Sequence, residues 1–463
     1  MKITIAGAAG GEVTGSAYYV QTARGRVLVD CGQFQGSRKS EALNRPPTGA
    51  RLKLDAVLLT HAHLDHTGRL PLLAQRGHRV PVYATQATIE MTALILRDSA
   101  RILASDAERK NRKRERAGEP PVPPLYSPQD AETAIGLLRP VPYQQPVDVA
   151  PGIQAVWTEA GHMLGSASIQ LIVDEDGRRK KVVFSGDLGP RSAPILKTFE
   201  PFHEADMVFV ESTYGSRDHR PFDQTVEEFV AIVRDAIQAG GKMLVPTFAV
   251  GRAQLISSLL GWMFREGKAR PFPIYLDSPM AIEATEIYAH HRELFDDEAL
   301  KYIRERPLRE DLKSMKLCVT AEDSKQINFV EGPCLIMAGA GMCTAGRILH
   351  HFKAHLWKPE THVLIVGYQA VGTLGAQLVG GAETVSVYGE KIAVKANVHT
   401  MGGFSAHAGR TDLLAWLEAL APARPQLVIT HGEEASRLGF ELAVRERYGL
   451  AAHLPRMGAT LEL

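Results

Sequence analysis

The residues with the clearest chemical potential lie in one short stretch, 60–68. Its sequence, Thr-His-Ala-His-Leu-Asp-His-Thr-Gly, follows the apolar run 55–59, which predicts a buried strand. Imidazole nitrogens and carboxylate oxygens are the donors that zinc and similar divalent ions bind. On an extended or looping backbone, side chains two positions apart share a side, so His61 and His63 can reach one ion. A cluster of surface histidines is the competing interpretation, and the spacing at a strand end favours a metal site.

The same pattern, an apolar strand followed by a ligand-type residue near a glycine, recurs along the first half of the chain. The residues at these strand ends are Asp30, His61, His162, Asp187 and Glu211. Taken singly, each is compatible with an ordinary turn or cap. Strand ends gathered at one edge of a sheet are where the sites of α/β proteins assemble. We therefore expect these side chains to lie close together.

The candidate ligands divide into two groups that share one carboxylate. The groups are His61, His63, His162 and Asp187 for one ion, and Asp65, His66 and Asp187 for the other. Two ions need about seven or eight protein donors, so the second group is one ligand short. A hydroxide between two such ions is a nucleophile at neutral pH, because the metals lower the pKa of water towards about 7. The residues indicate a hydrolytic reaction. They are compatible with amide, thioester, lactone and phosphodiester substrates.

Length and composition describe an ordinary globular protein. The 463 residues are enough for two or three domains, and with a net charge of +1 any phosphate-binding surface must be local. The four cysteines are scattered, which favours reduced thiols over a disulfide framework. The N-terminal segment is too short in apolar length for a signal peptide, and no window fits a membrane span. We expect a cytoplasmic protein with no membrane partner.

The pattern of predicted secondary structure changes near Tyr214. From there strands and helices alternate regularly, which predicts a parallel, doubly wound sheet. The predicted helices of this part are 225–238, 252–264 and 282–291, and the predicted strands are 243–245, 274–276, 334–337 and 363–366. Near residue 396 the chain returns to strand ends that carry polar residues, so its last part is expected to rejoin the first.

A long helical pattern runs from Gln86 to about Arg116 and ends in a strongly basic segment, 109–116. A solvated helix end is the simpler interpretation of this segment. A surface that faces RNA is the alternative. The proline-rich stretch that follows, 118–128, predicts a loop.

The motifs of the first half resemble those of the metallo-β-lactamase superfamily. His-x-His-x-Asp-His follows a strand-end aspartate and precedes a Gly-His and a Ser-Gly-Asp, in the order of that superfamily. The resemblance assigns the metal ligands to His61, His63, Asp65, His66, His162 and Asp187. It places Asp30 behind the ligands as a supporting residue.

The second half resembles the β-CASP branch, whose members cut nucleic acids and carry an extra domain inserted in the lactamase fold. The matching motifs are Val-Glu-Ser-Thr-Tyr-Gly, Phe-Ser-Ala-His-Ala-Gly and Thr-His-Gly-Glu, which contain Glu211, His407 and His431. The segments 246–254 and 338–342 are also similar to the insert of that branch. The resemblance implies that His431 completes the second metal site. It also implies that His407 is the general acid and that Glu211 orients it.

The implied architecture is an αββα metallo-β-lactamase sandwich with an inserted parallel-sheet β-CASP domain. The expected lactamase domain comprises residues 1–212 and a returning segment, 396–463. The expected insert comprises residues 213–395.

The implied substrate is single-stranded RNA, because a histidine at the position of His431 is typical of RNA-directed members. The chain resembles the RNA 3′-processing endonucleases (the nuclease subunit of the cleavage and polyadenylation factor) and their bacterial relatives. The implied activity is a zinc-dependent endoribonuclease that hydrolyses phosphodiester bonds with two Zn²⁺ per chain, Mn²⁺ being the alternative metal. The implied catalytic residues are Asp65, Glu211 and His407, and the implied phosphate contacts are Ser405, Gly341 and Arg252. A homodimer is compatible with this interpretation.

Three other functions compete with this one. A 5′–3′ exoribonuclease of ribonuclease J type is the nearest alternative, and the absence of that enzyme's long C-terminal domain weighs against it. A thioester or lactone hydrolase would not need so large an insert. A catalytically silent RNA-binding scaffold would be expected to have lost some of the metal ligands.

Overall fold

The computed structural model describes residues 1–36, 38–46, 53–175, 177–370 and 372–463. These residues form two compact units, and neither unit is one continuous stretch of sequence. The first unit comprises 1–191, 198–218 and 407–463, and the second comprises 192–197 and 219–406.

The first unit contains two sheets, each with seven strands among the described residues. In spatial order, one sheet comprises β22 (Thr460–Glu462), β1 (Lys2–Ile5), β2 (Tyr18–Gln21), β3 (Arg26–Val29), β4 (Ala56–Leu58), β5 (Val82–Ala84) and β6 (Leu138–Pro140). The other comprises β21 (Ala452–His453), β20 (Gln426–Ile429), β11 (Met207–Val210), β10 (Arg178–Phe184), β9 (Ala167–Glu175), β8 (Ile153–Glu159) and β7 (Val147–Ala150). Both sheets mix parallel and antiparallel pairs. In the first sheet β1 and β2 are antiparallel and β3 and β4 are parallel, and in the second β9 and β10 are antiparallel and β10 and β11 are parallel.

Side chains that alternate along each strand build the layers of this unit, because successive residues of a strand face opposite sides of a sheet. Val27 and Val29 belong to one buried cluster with Trp157 and Phe184 of the second sheet, which places that core between the sheets. Leu28 belongs instead to a cluster with helical residues on the outer face of the first sheet.

Helices cover both outer faces of these sheets. The helices of the first unit are α1 (Arg38–Glu41), α2 (Leu64–Thr67), α3 (Leu70–Gln75), α4 (Gln86–Arg116), α5 (Pro128–Ile135), α14 (Arg410–Glu418) and α15 (Glu434–Tyr448). Trp416 of α14 and Phe440 of α15 share a buried cluster with Val208 and Leu427 of the second sheet. The order of layers is therefore helix, sheet, sheet, helix, which confirms the predicted αββα sandwich.

The second unit is a parallel α/β domain. In spatial order its main sheet comprises β14 (Met315–Leu317), β13 (Ile274–Asp277), β15 (Cys334–Ala338), β12 (Lys242–Pro246), β16 (His362–Ile365) and β19 (Asn397–Thr400), and a separate hairpin comprises β17 (Thr384–Val387) and β18 (Glu390–Ala393). Its helices are α6 (Phe222–Ala239), α7 (Arg252–Arg265), α8 (Pro279–His290), α9 (Asp297–Glu305), α10 (Leu308–Asp311), α11 (Ala321–Gln326), α12 (Ile348–His355) and α13 (Leu374–Val379). Every neighbouring pair in the main sheet is parallel.

Helices lie on both faces of this parallel sheet, which confirms the predicted doubly wound arrangement. Met243 and Val245 of β12 pack in one buried cluster with α6 and α7. Leu244, between them, packs on the other face with Ile348 and Phe352 of α12.

The end of the second unit differs from the boundary expected at residue 396. Strand β19 pairs in parallel with β16, with Val398 opposite Val363, so residues 397–400 complete the sheet of the second unit. The polar residues of this strand resemble the strand ends of the first unit. Its hydrogen-bonding partner, which the local sequence does not reveal, decides where it belongs.

Among the helices of the described chain, none combines the length and the apolar composition that crossing a membrane requires. The longest is α4, with 31 residues, and its second half is rich in charge.

Asp277, the last residue of β13, is a buried carboxylate that contacts α11, α12 and the residue before α12. The side chain of Asp277 is fully buried, and Oδ2 accepts a hydrogen bond of 2.6 Å from Ser324 Oγ and lies 2.8 Å from His351 Nε2. Arg347 donates to Oδ1 over 2.7 Å and also to the carbonyl oxygens of Cys318 and Val319. Burial alone would raise the pKa of Asp277, but the hydrogen bonds from these three side chains outweigh it and lower the pKa below its ordinary value.

We expect Asp277→Asn to lower the free energy of unfolding by about 3 kcal/mol, because it leaves Arg347 without its buried counter-charge. A carboxylate with a lowered pKa stabilises the fold above its unfolded pKa of about 3.9, and this stabilisation is lost as the pH falls through the folded value. Urea unfolding at neutral and acidic pH measures both effects. The variant should lack this part of the acid dependence, whereas the exposed Glu322→Gln should shift stability by less than about 0.5 kcal/mol. Equal stability of Asp277→Asn and the wild type would contradict the role of this network.

Candidate metal centre

The histidine-rich loop begins where β4 ends and runs into the single turn of α2. His61 and His63 precede the helix, with His63 as its cap residue at φ −56° and ψ 148°, and Asp65 and His66 lie within it. His61 and His66 are almost fully buried. His61 and His63 therefore reach the site from the segment before the helix, whereas Asp65 and His66 reach it from the helix itself.

Asp30, directly after β3, holds this loop in place. Its Oδ1 accepts a hydrogen bond of 2.8 Å from the backbone N–H of Thr60, and Oδ2 accepts one of 2.8 Å from the Thr60 hydroxyl. Oδ2 also lies 2.8 Å from His66 Nδ1, so the other ring nitrogen of His66 faces the site. Asp30 has a positive φ of 57°, a conformation that costs a residue with a side chain about 1 kcal/mol and that the surrounding contacts must impose.

The first donor group consists of three histidines and one carboxylate oxygen. His162 Nε2 lies 3.1 Å from His63 Nδ1. Asp187 Oδ2 lies 3.5 Å from His61 Nε2 and 3.6 Å from His162 Nε2. These are the four residues that the sequence assigned to one ion, and their donor atoms surround one position.

The second donor group uses the other oxygen of the same carboxylate. Asp187 Oδ1 lies 3.3 Å from His66 Nε2 and 3.5 Å from His431 Nε2. His431 Nε2 also lies 3.6 Å from Asp65 Oδ2 and 3.2 Å from His66 Nε2. The two oxygens of Asp187 therefore face two different groups, as a bridging ligand requires.

The spacing of these atoms fits divalent metal ions. A tetrahedral zinc ion with ligands at about 2.0–2.2 Å separates its ligand atoms by about 3.3–3.6 Å, close to the observed spacing. The candidate ligand atoms of His61, His63, His162 and Asp187 all lie within 4.8 Å of one another, and so do those of Asp65, His66 and His431. His61 Nε2 and Asp187 Oδ1 are buried and have no hydrogen-bond partner among the described residues, which is costly unless another group satisfies them.

The protonation preferences of His61, His63 and Asp187 agree with metal binding, which requires neutral imidazoles and ionised carboxylates. His66 differs: burial alone would lower its pKa, but the charges of Asp187 and Asp30 raise it well above its ordinary value. Burial lowers the pKa of His63 to about 4 and, together with the charge of His66, lowers the pKa of His61 well below its ordinary value. Burial alone would raise the pKa of Asp187, but the neighbouring imidazoles hold it well below its ordinary value.

The turn that carries Asp187 depends on a glycine before it. Gly186 has a φ of +59°, and a Cβ at this position would lie 2.7 Å from Cβ of Thr60. The glycine therefore permits both the turn and the close approach of the Asp187 loop to the histidine loop. Any larger residue would separate the two loops that supply the shared carboxylate and the first histidines.

His407 and Glu211 form a pair beside both donor groups. Nδ1 of His407 lies 3.3 Å from Glu211 Oε1 and 3.9 Å from Asp187 Oδ2. The His407 ring lies 4.6 Å from the ring of His162, and it is 19% exposed, whereas the Glu211 side chain is buried. The contact with Glu211 directs the edge of the ring that carries Nε2 away from that carboxylate.

Backbone groups fix the orientation of Glu211. Oε1 accepts a hydrogen bond of 2.9 Å from the N–H of Leu188, and Oε2 accepts one of 3.0 Å from the N–H of Thr213. The carbonyl of Leu188 accepts a bond of 2.7 Å from Ala408, next to His407. Burial alone would lower the pKa of His407, but the charge and hydrogen bond of Glu211, with the charge of Asp187, raise it above its ordinary value.

The three predicted phosphate contacts lie in the second unit. Ser405, Gly341 and Arg252 all fall within residues 219–406. The guanidinium group of Arg252 is buried and donates a hydrogen bond to the carbonyl of Phe404. The contact supports the segment just before Ser405, and a role towards phosphate stays a prediction.

Two threonines support the site without having been singled out from the sequence. Thr60 links Asp30 to the histidine loop, and the Thr213 hydroxyl lies 3.2 Å from Nδ1 of His431. Both stand beside a predicted site residue, Thr60 before His61 and Thr213 two positions after Glu211. Their proximity to those motifs was the available signal, but a hydroxyl at a turn is too common to single out.

Family models match three parts of the chain. They are described as a Beta-lactamase superfamily domain, matching residues 25–247, a Beta-Casp domain, matching 253–378, and a Zn-dependent metallo-hydrolase RNA specificity domain, matching 391–455. The motif residues before Glu211 fall in the first of these, and His407 and His431 fall in the third.

Several curated proteins are similar over nearly the whole chain. Ribonuclease TTHA0252 of Thermus thermophilus is 40% identical over 99% of this chain and 99% of its own length. Transcription termination factor FttA of Cenarchaeum symbiosum is 30% identical over 98% of this chain and 70% of its own length. An RNase J-like protein of Methanocaldococcus jannaschii is 29% identical over 97% of this chain and 96% of its own length.

A solved structure shares the fold. A protein of unknown function from Enterococcus faecalis superimposes with a TM-score of 0.54 at 12% identity and covers 100% of this chain and 99% of its own. At this identity the similarity concerns the fold alone.

The partition of donors predicts the metal content of the wild type and of two variants. We expect the wild type to bind about two divalent ions, His431→Ala to retain about one, and Asp187→Ala to retain neither tightly, because each oxygen of Asp187 faces one group. Elemental analysis of the purified chains after dialysis against excess zinc measures this. The exposed His453→Ala is the matched control and should keep the wild-type content. Two ions in His431→Ala would place the missing ligand of the second group elsewhere.

Proposed function

Because this chain belongs to the β-CASP branch of the metallo-β-lactamase superfamily, we propose that it is a metal-dependent ribonuclease that hydrolyses phosphodiester bonds of single-stranded RNA. One observation carries the proposal: the His407–Glu211 pair lies beside two donor groups that share Asp187. The curated relative that is 40% identical bears the name ribonuclease, which supports RNA as the substrate.

The donor sets divide the chemical work between the metal ions and the protein. Two divalent ions bound there would supply an activated water and neutralise the charge of the phosphoryl group. Zinc is the proposed metal, because imidazoles outnumber carboxylates among the donors, and Mn²⁺ is the alternative. A carboxylate oxygen of Asp65 lies 3.6 Å from Nε2 of His431. The second donor group therefore combines a residue from the early part of the sequence with one from its late part.

His407 is the proposed general acid. A phosphodiester releases a ribose oxygen that must gain a proton, and a positioned imidazolium can donate it. Glu211 holds the ring through Nδ1, because both of its oxygens are fixed by backbone N–H groups. Its charge also favours the protonated form of His407 before the proton is transferred.

We propose an endonuclease, and a 5′–3′ exonuclease is the second candidate. The similarity to the RNase J-like protein supports the second candidate, since the alignment spans 97% of this chain. The full set of seven candidate metal-ligating side chains, together with the His407–Glu211 pair, argues against a silent scaffold.

Incubation of the wild type with labelled single-stranded RNA should give cleavage that a chelator abolishes and added zinc restores, because the reaction needs the ions. Single-stranded DNA of the same sequence should be cut more slowly. Release of mononucleotides from the 5′ end would identify the exonuclease, and internal fragments the endonuclease. Cleavage that survives complete removal of metal would contradict the proposal.

His407→Ala should lower kcat for RNA by about 10²–10⁴-fold, the usual contribution of a general acid. Its metal content should equal that of the wild type, because His407 belongs to neither of the two donor groups and its donor atom clusters instead with those of Glu211 and Asp187. The matched probe is bis(p-nitrophenyl) phosphate, whose leaving group needs no proton. Hydrolysis of this compound should fall far less than cleavage of RNA. An equal loss on both substrates, or loss of metal, would mean that His407 is not the general acid.

A further inference from the structure

Most of the second half of α4 extends beyond the hydrophobic core of the first unit, against which Leu103 is still partly buried. The buried residues of this helix all lie in its first half, and the last of them is Ala100. Residues 101–116 continue the helix without one buried side chain. Since an isolated helical end of this kind gains little from packing, its persistence needs another reason.

Four basic residues form a stripe along this exposed part of the helix. They are Arg109, Arg112, Lys113 and Arg116, all exposed, and we call them the basic stripe. Positions separated by three, four and seven residues lie on one face of a helix. Within 109–116 the chain has six basic residues and one acidic residue, against a net charge of +1 for the whole chain.

The charges of the basic stripe are poorly neutralised by the protein. Arg109 forms an exposed ion pair of 2.7 Å with Asp106, the kind of surface contact that contributes little. Arg112, Lys113 and Arg116 form no ion pair with any carboxylate of the described residues. Like charges four positions apart, as in Arg109–Lys113 and Arg112–Arg116, disfavour a helix. The stripe therefore opposes the stability of the element that carries it.

The loop after α4 braces this end of the helix. The side-chain amide of Asn111 exchanges two hydrogen bonds, of 2.8 and 3.0 Å, with the backbone of Val122. Arg114, on the other side of the helix from the stripe, donates to the carbonyl of Pro120 over 2.7 Å and pairs with Glu119. The stripe is thus presented on a supported helix rather than on a flexible tail.

The other end of α4 is attached to the loop of the candidate metal centre. The hydroxyls of Thr85 and Thr88 both donate to the carbonyl of Gly165 over 2.7 Å, three positions after His162. A helix rises 1.5 Å per residue, so Arg109 lies about 32 Å along the axis from Thr88. The helix therefore connects the turn that carries a candidate metal ligand to the basic stripe.

We propose that the basic stripe is a second contact surface for the RNA, which binds the phosphates of nucleotides remote from the bond that is cut. This inference rests on the proposed ribonuclease function. Lysine and arginine side chains on one helix face fit a polyanion whose phosphates repeat regularly, and they read no bases. Contact at this distance from the metal centre is available only to a strand long enough to span the separation.

The test replaces the stripe with Arg109→Gln, Arg112→Gln, Lys113→Gln and Arg116→Gln in one chain. We expect the dissociation constant of an RNA of about 30 nucleotides to rise by about 10-fold or more at low salt. The slope of log affinity against log salt should become shallower by about 0.7 for each phosphate that the variant no longer neutralises. Binding of an RNA of about 4 nucleotides, and hydrolysis of bis(p-nitrophenyl) phosphate, should match the wild type.

Two matched variants separate charge from structure. Arg178→Gln, Arg179→Gln, Arg445→Gln and Arg447→Gln remove four exposed charges from β10 and α15 of the same unit and should leave affinity for the long RNA within about 2-fold. Arg109→Lys, Arg112→Lys and Arg116→Lys should retain affinity, because phosphate contact needs the charge rather than the guanidinium shape. Circular dichroism should show unchanged helix content, since glutamine and arginine have similar helix propensities.

Each result decides between the two proposals. If the wild type neither binds nor cleaves RNA, the ribonuclease function and the stripe proposal both fail. If the wild type cleaves RNA but the stripe variant binds the long RNA as the wild type does, only the stripe proposal is overturned. An equal loss of affinity for the short and the long RNA would also overturn it, because the charges would then act at the metal centre or on the whole fold.

Discussion

One buried carboxylate organises the candidate site. Asp187 lies among four imidazoles, and its two oxygens face two different groups of donors at 3.3 to 3.6 Å. A buried carboxylate is tolerated only where positive charge and hydrogen bonds compensate the lost hydration. The neighbouring histidines provide part of that compensation and metal ions would provide the rest. Removing this one side chain would therefore disturb both halves of the site at once.

The strands determine which side chains can reach that carboxylate. Asp30, Asp187, Glu211 and His431 follow β3, β10, β11 and β20, so the ends of strands from both sheets bring them together. Two of these residues, Asp30 and His431, adopt positive φ values of 57° and 49°. Such backbone is retained where several contacts require it, as when the N–H of His431 donates to the carbonyl of Ala8 over 2.8 Å.

The returning segment supplies two residues of the candidate site. His431 completes the second donor group, and His407 lies beside the first, yet both come after the parallel sheet of the second unit in the sequence. Strand β20 pairs in parallel with β11, with Ile429 opposite Val210, so that pairing brings His431 next to the turn after Glu211. Insertion of the second unit between these strands leaves their pairing intact, because strands adjacent in a sheet need not be adjacent in sequence.

Residue types and their spacing along the chain were enough to predict a hydrolytic metal site and an α/β fold. The spacing of His61, His63, Asp65 and His66, and the repeated strand-end pattern, are local features, and local features are what periodicity and residue type report. The resemblance added His407, His431 and the αββα architecture, and the structure confirms that architecture. Three features became visible only in the folded chain: which oxygen of Asp187 faces which group, that β19 belongs to the second unit, and that Thr60 and Thr213 contact candidate site residues. Each of these depends on contacts between residues far apart in the chain, and such contacts leave no periodic signal in the sequence around either partner.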